Sequence, residues 1–324
     1  MIVTLPAPRS LAWPRHLPFC LALAVSACKT DPVLSDHTST PEDSSAETDA
    51  SSGESTSEPT ETSSGDTETP TTIPPDTPDM VEIPAGSFMM GCNKETAPLG
   101  CDPTTLPYHK VELSAYAIDT LEVTIASYKE CVAAGKCLAA SADCFLDPPP
   151  NAPQACVSWF SAQAYCKFRG KRLPTEAEWE RAFRGDSADL FPWGNNLPTN
   201  CEVDAMYAKR GENPHNPPWC GEAKAQPVGS RPHDRSPYGV YDMAGSVSEW
   251  VNDFYDVAYY GKSPAKDPQG PDVGGEGTAT ARVQRGAGYG FPPGDYVELQ
   301  LTWRWHSGQN GGQGDAGFRC AKSL

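Results

Sequence analysis

Twelve cysteines carry most of the chemistry within reach of this 324-residue chain. Cys20 lies in an apolar run and Cys28 follows it, which leaves ten: 92, 101, 131, 137, 144, 156, 166, 201, 220 and 320. An even number in a chain with an export signal favours disulfides over metal ligation. No pair has CxxC spacing, which speaks against a zinc ribbon or a thioredoxin-like redox site. Cys92 with Cys101, and Cys201 with Cys220, are close enough to pair locally, while the overall connectivity stays open. The six histidines, at 16, 37, 109, 215, 233 and 306, form no HxxxH, HExxH or HxH pair, so a mononuclear zinc or iron site has little support. Ser158, Ser236 and Ser248 lack a GxSxG setting for acyl transfer. Gly286-Ala-Gly288-Tyr-Gly290 follows no βαβ pattern, so close packing is its expected role rather than phosphate binding.

Residues 1–27 read as an export signal, with Arg9 and Arg15 ahead of the apolar run Leu17 to Ala27. That run is shorter than the roughly 20 residues a membrane-spanning helix needs. It ends in Val25-Ser26-Ala27-Cys28, which resembles a lipobox, so Cys28 is the expected site of acylation and of anchoring to a bacterial cell envelope. Residues 28–79 form an acidic Ser/Thr/Pro-rich tether. The stretch from Lys29 to Asp79 has 13 carboxylates against one lysine, a charge of −12 out of −17 for the whole chain. Such a composition buries too little apolar surface to offset its chain entropy, so disorder is expected there. No basic cluster is present, which argues against a nucleic-acid partner.

Residues 80–324 then form one domain. Met80–Gly91 alternates and ends in glycine, as a strand and turn do. Val111, Leu113, Tyr116 and Ile118 suggest further extended chain, and Thr124 to Val132 a helix. Ser158 caps a helix whose inner face is expected to hold Ala162, Tyr165, Cys166 and Phe168, with Gly170 as its stop. Thr175 with Glu178 forms a capping box, and Trp179 faces inward. After Phe183 glycine and proline dominate. The reading is α+β, low in regular secondary structure and stapled by disulfides.

Together, Met80–Gly91, His109–Tyr128 (with Glu122-Val123-Thr124), Val157–Glu180 with Gly170-Lys-Arg-Leu-Pro-Thr-Glu-Ala-Glu-Trp-Glu180, Phe191–Gly194, Ser236–Trp250, Arg285–Tyr289 and Gly317-Phe-Arg-Cys320 resemble the formylglycine-generating (sulfatase-modifying factor) enzyme family. The resemblance implies a C-type-lectin-like fold and a parent activity, oxidation of a sulfatase cysteine to formylglycine at a copper ion held by two cysteines. The family segment Arg-Gly-Gly-Ser-aromatic-x-Cys-His-x-x-x-Cys reads Arg285-Gly-Ala-Gly-Tyr289-Gly-Phe291-Pro-Pro-Gly-Asp-Tyr296 here, so both catalytic positions, Phe291 and Tyr296, lack a thiolate. Cu(I) prefers soft sulfur ligands, so copper is not expected. The resemblance also implies a Cys166–Cys320 disulfide, and it places a second family disulfide at Phe183 and Leu301, as if a packed contact replaced it.

Matched residue by residue, Asp242 and Glu249 would offer side-chain oxygens, and Gly245 and Val247 carbonyls, to calcium. Those hard donors suit Ca²⁺. Asp242 and Glu249 could equally be hydrogen-bonded parts of a structural turn. Tyr289, Trp303, Arg304, Trp305 and His306 lie in the segment lining the family's cleft; aromatic rings with an arginine suit peptide, protein or glycan recognition. The expected function is a non-catalytic, lipid-anchored recognition module, with a family oxidoreductase of altered chemistry as the alternative.

Overall fold

The computed structural model describes residues 78–97, 99–141, 148–195, 225–288, 300–311 and 314–324. These all fall in one compact unit, Asp66–Leu324. The alternating stretch Met80–Gly91 folds as two strands rather than one, β1 (Met80–Ile83) and β2 (Gly86–Met90). Pro84 between them has no N–H to give to a ladder, and the chain passes there from one sheet to another. β2 pairs antiparallel with β3 (His109–Leu113). β1 pairs antiparallel with β4 (Tyr116–Asp119), whose other edge takes β9 (Ala321–Ser323).

The largest sheet has the order β7 (Trp305–Gly308), β6 (Ala281–Arg285), β5 (Ser248–Phe254), β8 (Ala316–Gly317). Its pairs are antiparallel except β5–β8, and the β5–β6 register shifts between Trp250 and Phe254.

Each helix begins at a side chain that satisfies a free N–H of the first turn. Thr124 accepts from Ser127 N ahead of α1 (Ile125–Ala133), and Ser158 from Ser161 N ahead of α2 (Trp159–Phe168). The Thr175 hydroxyl accepts from Glu178 N at 3.2 Å, while the Glu178 carboxylate accepts from Thr175 N at 2.8 Å. This capping box opens α3 (Glu176–Arg184) and contributes about 1 kcal/mol.

The inner face of α2 holds Trp159, Ala162, Tyr165 and Cys166, but not Phe168, which is 37% exposed under the Arg169 guanidinium. At 100° per residue, positions 162, 165 and 166 share a stripe, and 168 falls about 200° beyond 166. Gly170, at φ 69°, turns the chain after the helix.

Two apolar clusters fill the domain. One lies under α3 and includes Ile83, Phe88, Val111, Trp179, Phe183, Val283 and Leu301. Phe183 and Leu301 are both fully packed there. The other gathers Tyr128, Trp159, Tyr165, Trp250, Phe318 and the Cys166–Cys320 bridge. Cys92–Cys101 and Cys131–Cys137 are disulfides too, and Cys156 is disulfide-bonded.

Candidate functional site

The turn that leads into β5 concentrates buried negative charge. Asp242 and Ser246 take φ values of 58° and 71°, a left-handed backbone uncommon for residues with side chains and typical of constrained sites. Asp234 holds this turn from below: both of its carboxylate oxygens accept from Ala244 N at 3.1 Å. One Asp242 oxygen accepts from Gly229 N, and the other, Oδ1, is buried without a partner. Glu122, in the loop before α1, is also buried, and neither of its oxygens has a hydrogen bond of normal geometry, although Val247 N–H lies nearby. Ser246 Oγ completes this set of unpartnered oxygens.

Glu249 is the exception. Arg319 grips it bidentately at 2.7 and 2.8 Å, and the Trp179 indole donates to it at 2.9 Å. The same guanidinium donates to the carbonyls of Asp119, Thr120 and Tyr241. Burial works against its charge, but Glu249, followed by Glu122 and Asp242, holds its pKa above the ordinary value. One fixed cation thus faces several carboxylates.

Burial, and then the neighbouring Asp242, raises Asp234 from 3.8 to about 8. Burial raises Asp242 from 3.8 to about 7, with Glu249 adding to it. Burial, Asp242 and Glu249 push Glu122 well above the usual carboxylate range. A hard cation would lower all three, and Ca²⁺ accepts carboxylates together with backbone carbonyls. Asp242 Oδ1 and the Glu122 oxygens are donors of that kind, and Gly245 and Val247 belong to the same turn as Asp242. Among the described residues no group of three or more His, Cys, Asp or Glu side chains could hold a metal ion. Glu249, expected as a ligand, is already committed to Arg319 and Trp179.

A second buried ionic network lies beneath α3. Glu176 accepts from Arg304 Nε at 2.7 Å and Nη2 at 2.9 Å, and from Arg285 at 2.7 Å. Arg285 also reaches Glu180 at 2.9 Å. Burial pushes the Glu176 pKa up, but Arg304 and Arg285 overcome this and hold it below its ordinary value.

Arg304 is therefore not a groove residue, as its aromatic neighbours in the sequence suggested. It is buried, saturated by Glu176 and by the carbonyls of Thr104 and Asp256, and lies over the rings of Tyr255 and Tyr260. His306 is exposed and stacks on Tyr255 with ring centroids 4.1 Å apart. Trp303 and Trp305 are half-buried and meet edge to face at 5.7 Å. Strand alternation sends Trp305 and His306 to opposite faces of β7, so the expected groove set divides between two surfaces.

Tyr289, Phe291, Tyr296 and Cys28 lie outside the described residues. Gly288 is described, and its backbone approaches Asp315 so closely that an added Cβ would sit 2.3 Å from the carboxylate. That contact favours close packing over phosphate binding. All seven described cysteines, 92, 101, 131, 137, 156, 166 and 320, are disulfide-bonded. The described cysteines therefore offer no thiolate to copper.

Residues 66–324 match the family model described as the sulfatase-modifying factor enzyme 1-like domain. The chain belongs to this family. The formylglycine-generating enzyme of Streptomyces coelicolor is 38% identical over 179 residues, covering 53% of each chain. The chain spans about half the length of the curated formylglycine-generating enzymes it matches. The mouse protein named inactive C-alpha-formylglycine-generating enzyme 2 is 28% identical over 295 residues, covering 76% of this chain and 86% of that protein. In fold, the chain is similar to PvdO from Pseudomonas aeruginosa, with a TM-score of 0.58 and 27% identity over 79% of this chain and all of that one. The mixed α and β architecture agrees with that kinship.

Glu122 and Asp234 were not visible as site residues in the sequence. Glu122 sits in the recognisable Glu122-Val123-Thr124 motif, but only its burial beside Asp242 gives it a role.

Proposed function

We propose that the chain is a non-catalytic member of its family that recognises a ligand at the cell envelope, held there by a lipid on Cys28. What carries this reading is that the chain has Phe291 and Tyr296 where the family resemblance would put the two copper-binding cysteines. Neither side chain supplies the soft sulfur that Cu(I) needs. A relative named inactive that spans most of its own length in the match supports the same reading. The decisive measurement is Cu(I) titration of the purified chain, followed by incubation with a sulfatase-derived cysteine peptide and oxygen. No stoichiometric copper binding and no aldehyde on the peptide are expected. Formation of formylglycine would instead establish the alternative, an oxidoreductase of altered chemistry.

Cys28 acylation is checked by intact mass: the wild-type chain is expected to carry a diacylglyceryl group that Cys28→Ser lacks. Equal masses, apart from the one-atom substitution, would reject the anchor.

We further propose calcium at Asp242 and Glu122 with the Gly245 and Val247 carbonyls. Without metal, stability is expected to fall as pH rises. The unfolded aspartates ionise near 3.8, whereas folded Asp242 and Asp234 hold their protons to about 7 and about 8. Across that window the unfolded state binds fewer protons, so each rise in pH favours it. Millimolar Ca²⁺ is expected to raise Tm at pH 8 and much less at pH 5, read by calorimetry against a chelator control. A Tm indifferent to Ca²⁺ at pH 8 would exclude the site.

A further inference from the structure

The face of β6 and β7 opposite His306 carries N–H groups with nothing to donate to. Gln284 stands opposite Trp305 in the β6–β7 register and opposite Trp250 on the β5 side, so the three side chains share one face. Gln284 is 1% exposed, and its Nε2 has no acceptor. The Trp303 indole packs against that of Trp305, and its shielded Nε1 has no acceptor either. Gln300, whose carbonyl accepts from Trp303 N at 2.8 Å across a turn, is 2% exposed and leaves its own Nε2 unpaired. Leaving a buried donor unpaired is costly, and native proteins rarely tolerate one without a purpose.

The chemistry of the missing partner follows from what surrounds these donors. Three arginines stand on these strands and their approach, Arg282, Arg285 and Arg304, and Arg285 is paired with Glu176 and Glu180. Arg304 belongs to Glu176, and Arg282 lies between the rings of Trp159 and Phe254 while donating to Asn252 O at 2.5 Å. The Arg282 Nε is unpaired, but its guanidinium is enclosed between two rings, so an anionic ligand would gain little from it. An extended peptide would bring N–H groups as well as carbonyls, and the unpartnered side-chain atoms of this face are all donors. A sugar hydroxyl accepts from the protein while donating outward, and an acetamido carbonyl is a strong neutral acceptor. The half-buried indoles offer flat apolar area to the C–H face of a pyranose ring.

We propose that this face binds a neutral oligosaccharide bearing N-acetyl groups, with Gln284, Gln300 and Trp303 donating to its carbonyl and hydroxyl oxygens and the Trp303 and Trp305 rings packing on the sugar. The assignment rests on the recognition role proposed above and narrows its ligand.

The test is titration calorimetry of the full chain with chitohexaose, beside cellohexaose, fully deacetylated glucosamine hexamer and a panel of extended peptides. Chitohexaose is expected to bind, with cellohexaose at least about tenfold weaker for want of acetamido carbonyls, a difference of about 1.4 kcal/mol. Trp303→Phe keeps a ring but removes the N–H, and Gln284→Met keeps the volume; each is expected to weaken chitohexaose about tenfold. Protection of the native tryptophans from N-bromosuccinimide by chitohexaose gives a readout that needs no variant. Chitohexaose binding unchanged in both variants, or without tryptophan protection, would overturn the site. A peptide bound in place of any sugar would overturn the glycan and leave the recognition role standing. If neither class binds, both fall.

Discussion

Replacing Arg319 with methionine is expected to destabilise the domain by about 3–5 kcal/mol, the range for stripping the partner from a buried charge. Arg319 is fully buried, grips both oxygens of Glu249, and donates to the Asp119, Thr120 and Tyr241 carbonyls. Its loss would leave Glu249 beside Glu122 and Asp242 with no cation among them. Arg319→Lys should lie between wild type and Arg319→Met, because an ammonium keeps the charge but cannot reproduce the fork. Urea melts in chelator measure both. If Ca²⁺ occupies the Asp242 and Glu122 oxygens, millimolar Ca²⁺ should restore part of the Arg319→Met loss. A loss below about 1 kcal/mol, the level of exposed ion pairs, would mean that the carboxylates are neutral together and that Arg319 compensates nothing.

The second large effect is at Cys166–Cys320. The bridge joins positions 154 apart and lies wholly within the smaller apolar cluster. In the chain-entropy account, opening a loop of that length costs about 5 kcal/mol. The double variant Cys166→Ala/Cys320→Ala is expected to lose about that much, beside about 2 kcal/mol for the equivalent pair at Cys131 and Cys137, whose separation is 6. Urea midpoints of the two double variants give the comparison. Equal losses would show that packing strain, rather than loop length, governs both bridges.

What the sequence disclosed and what it hid divide along the same physical line. The caps at Ser158 and Thr175 could be read because each acts on an N–H within three residues. The division of Met80–Gly91 into two strands turns on Pro84, a local signal that overrides the alternation. α3 was the harder case. Its Glu-Ala-Glu-Trp-Glu pattern looks like a helix with one wet face, yet all nine residues are buried. The polar face is dry because Arg285 and Arg304 arrive from 109 and 128 positions away to meet Glu176. Spacing cannot report a partner at that distance. For the same reason Arg304 looked like a groove residue among aromatics, and Glu122 looked like an ordinary motif position. The overall family resemblance survived these local errors because it drew on many short segments in a fixed order.

The strands β4 and β9 carry a consequence for when this domain becomes a domain. Residues 319–323 close the disulfide, bring the guanidinium to Glu249 and supply the outer neighbour of β4, which on its other side pairs with residues 80–83. A ribosome adds residues one at a time, and until these five emerge β4 lacks an edge and the acidic turn lacks its counter-charge. Assembly must then wait for nearly all of residues 80–323, with slow, non-local pairing at the finish. A chain that stays open throughout synthesis is one that can still be threaded through a narrow pore.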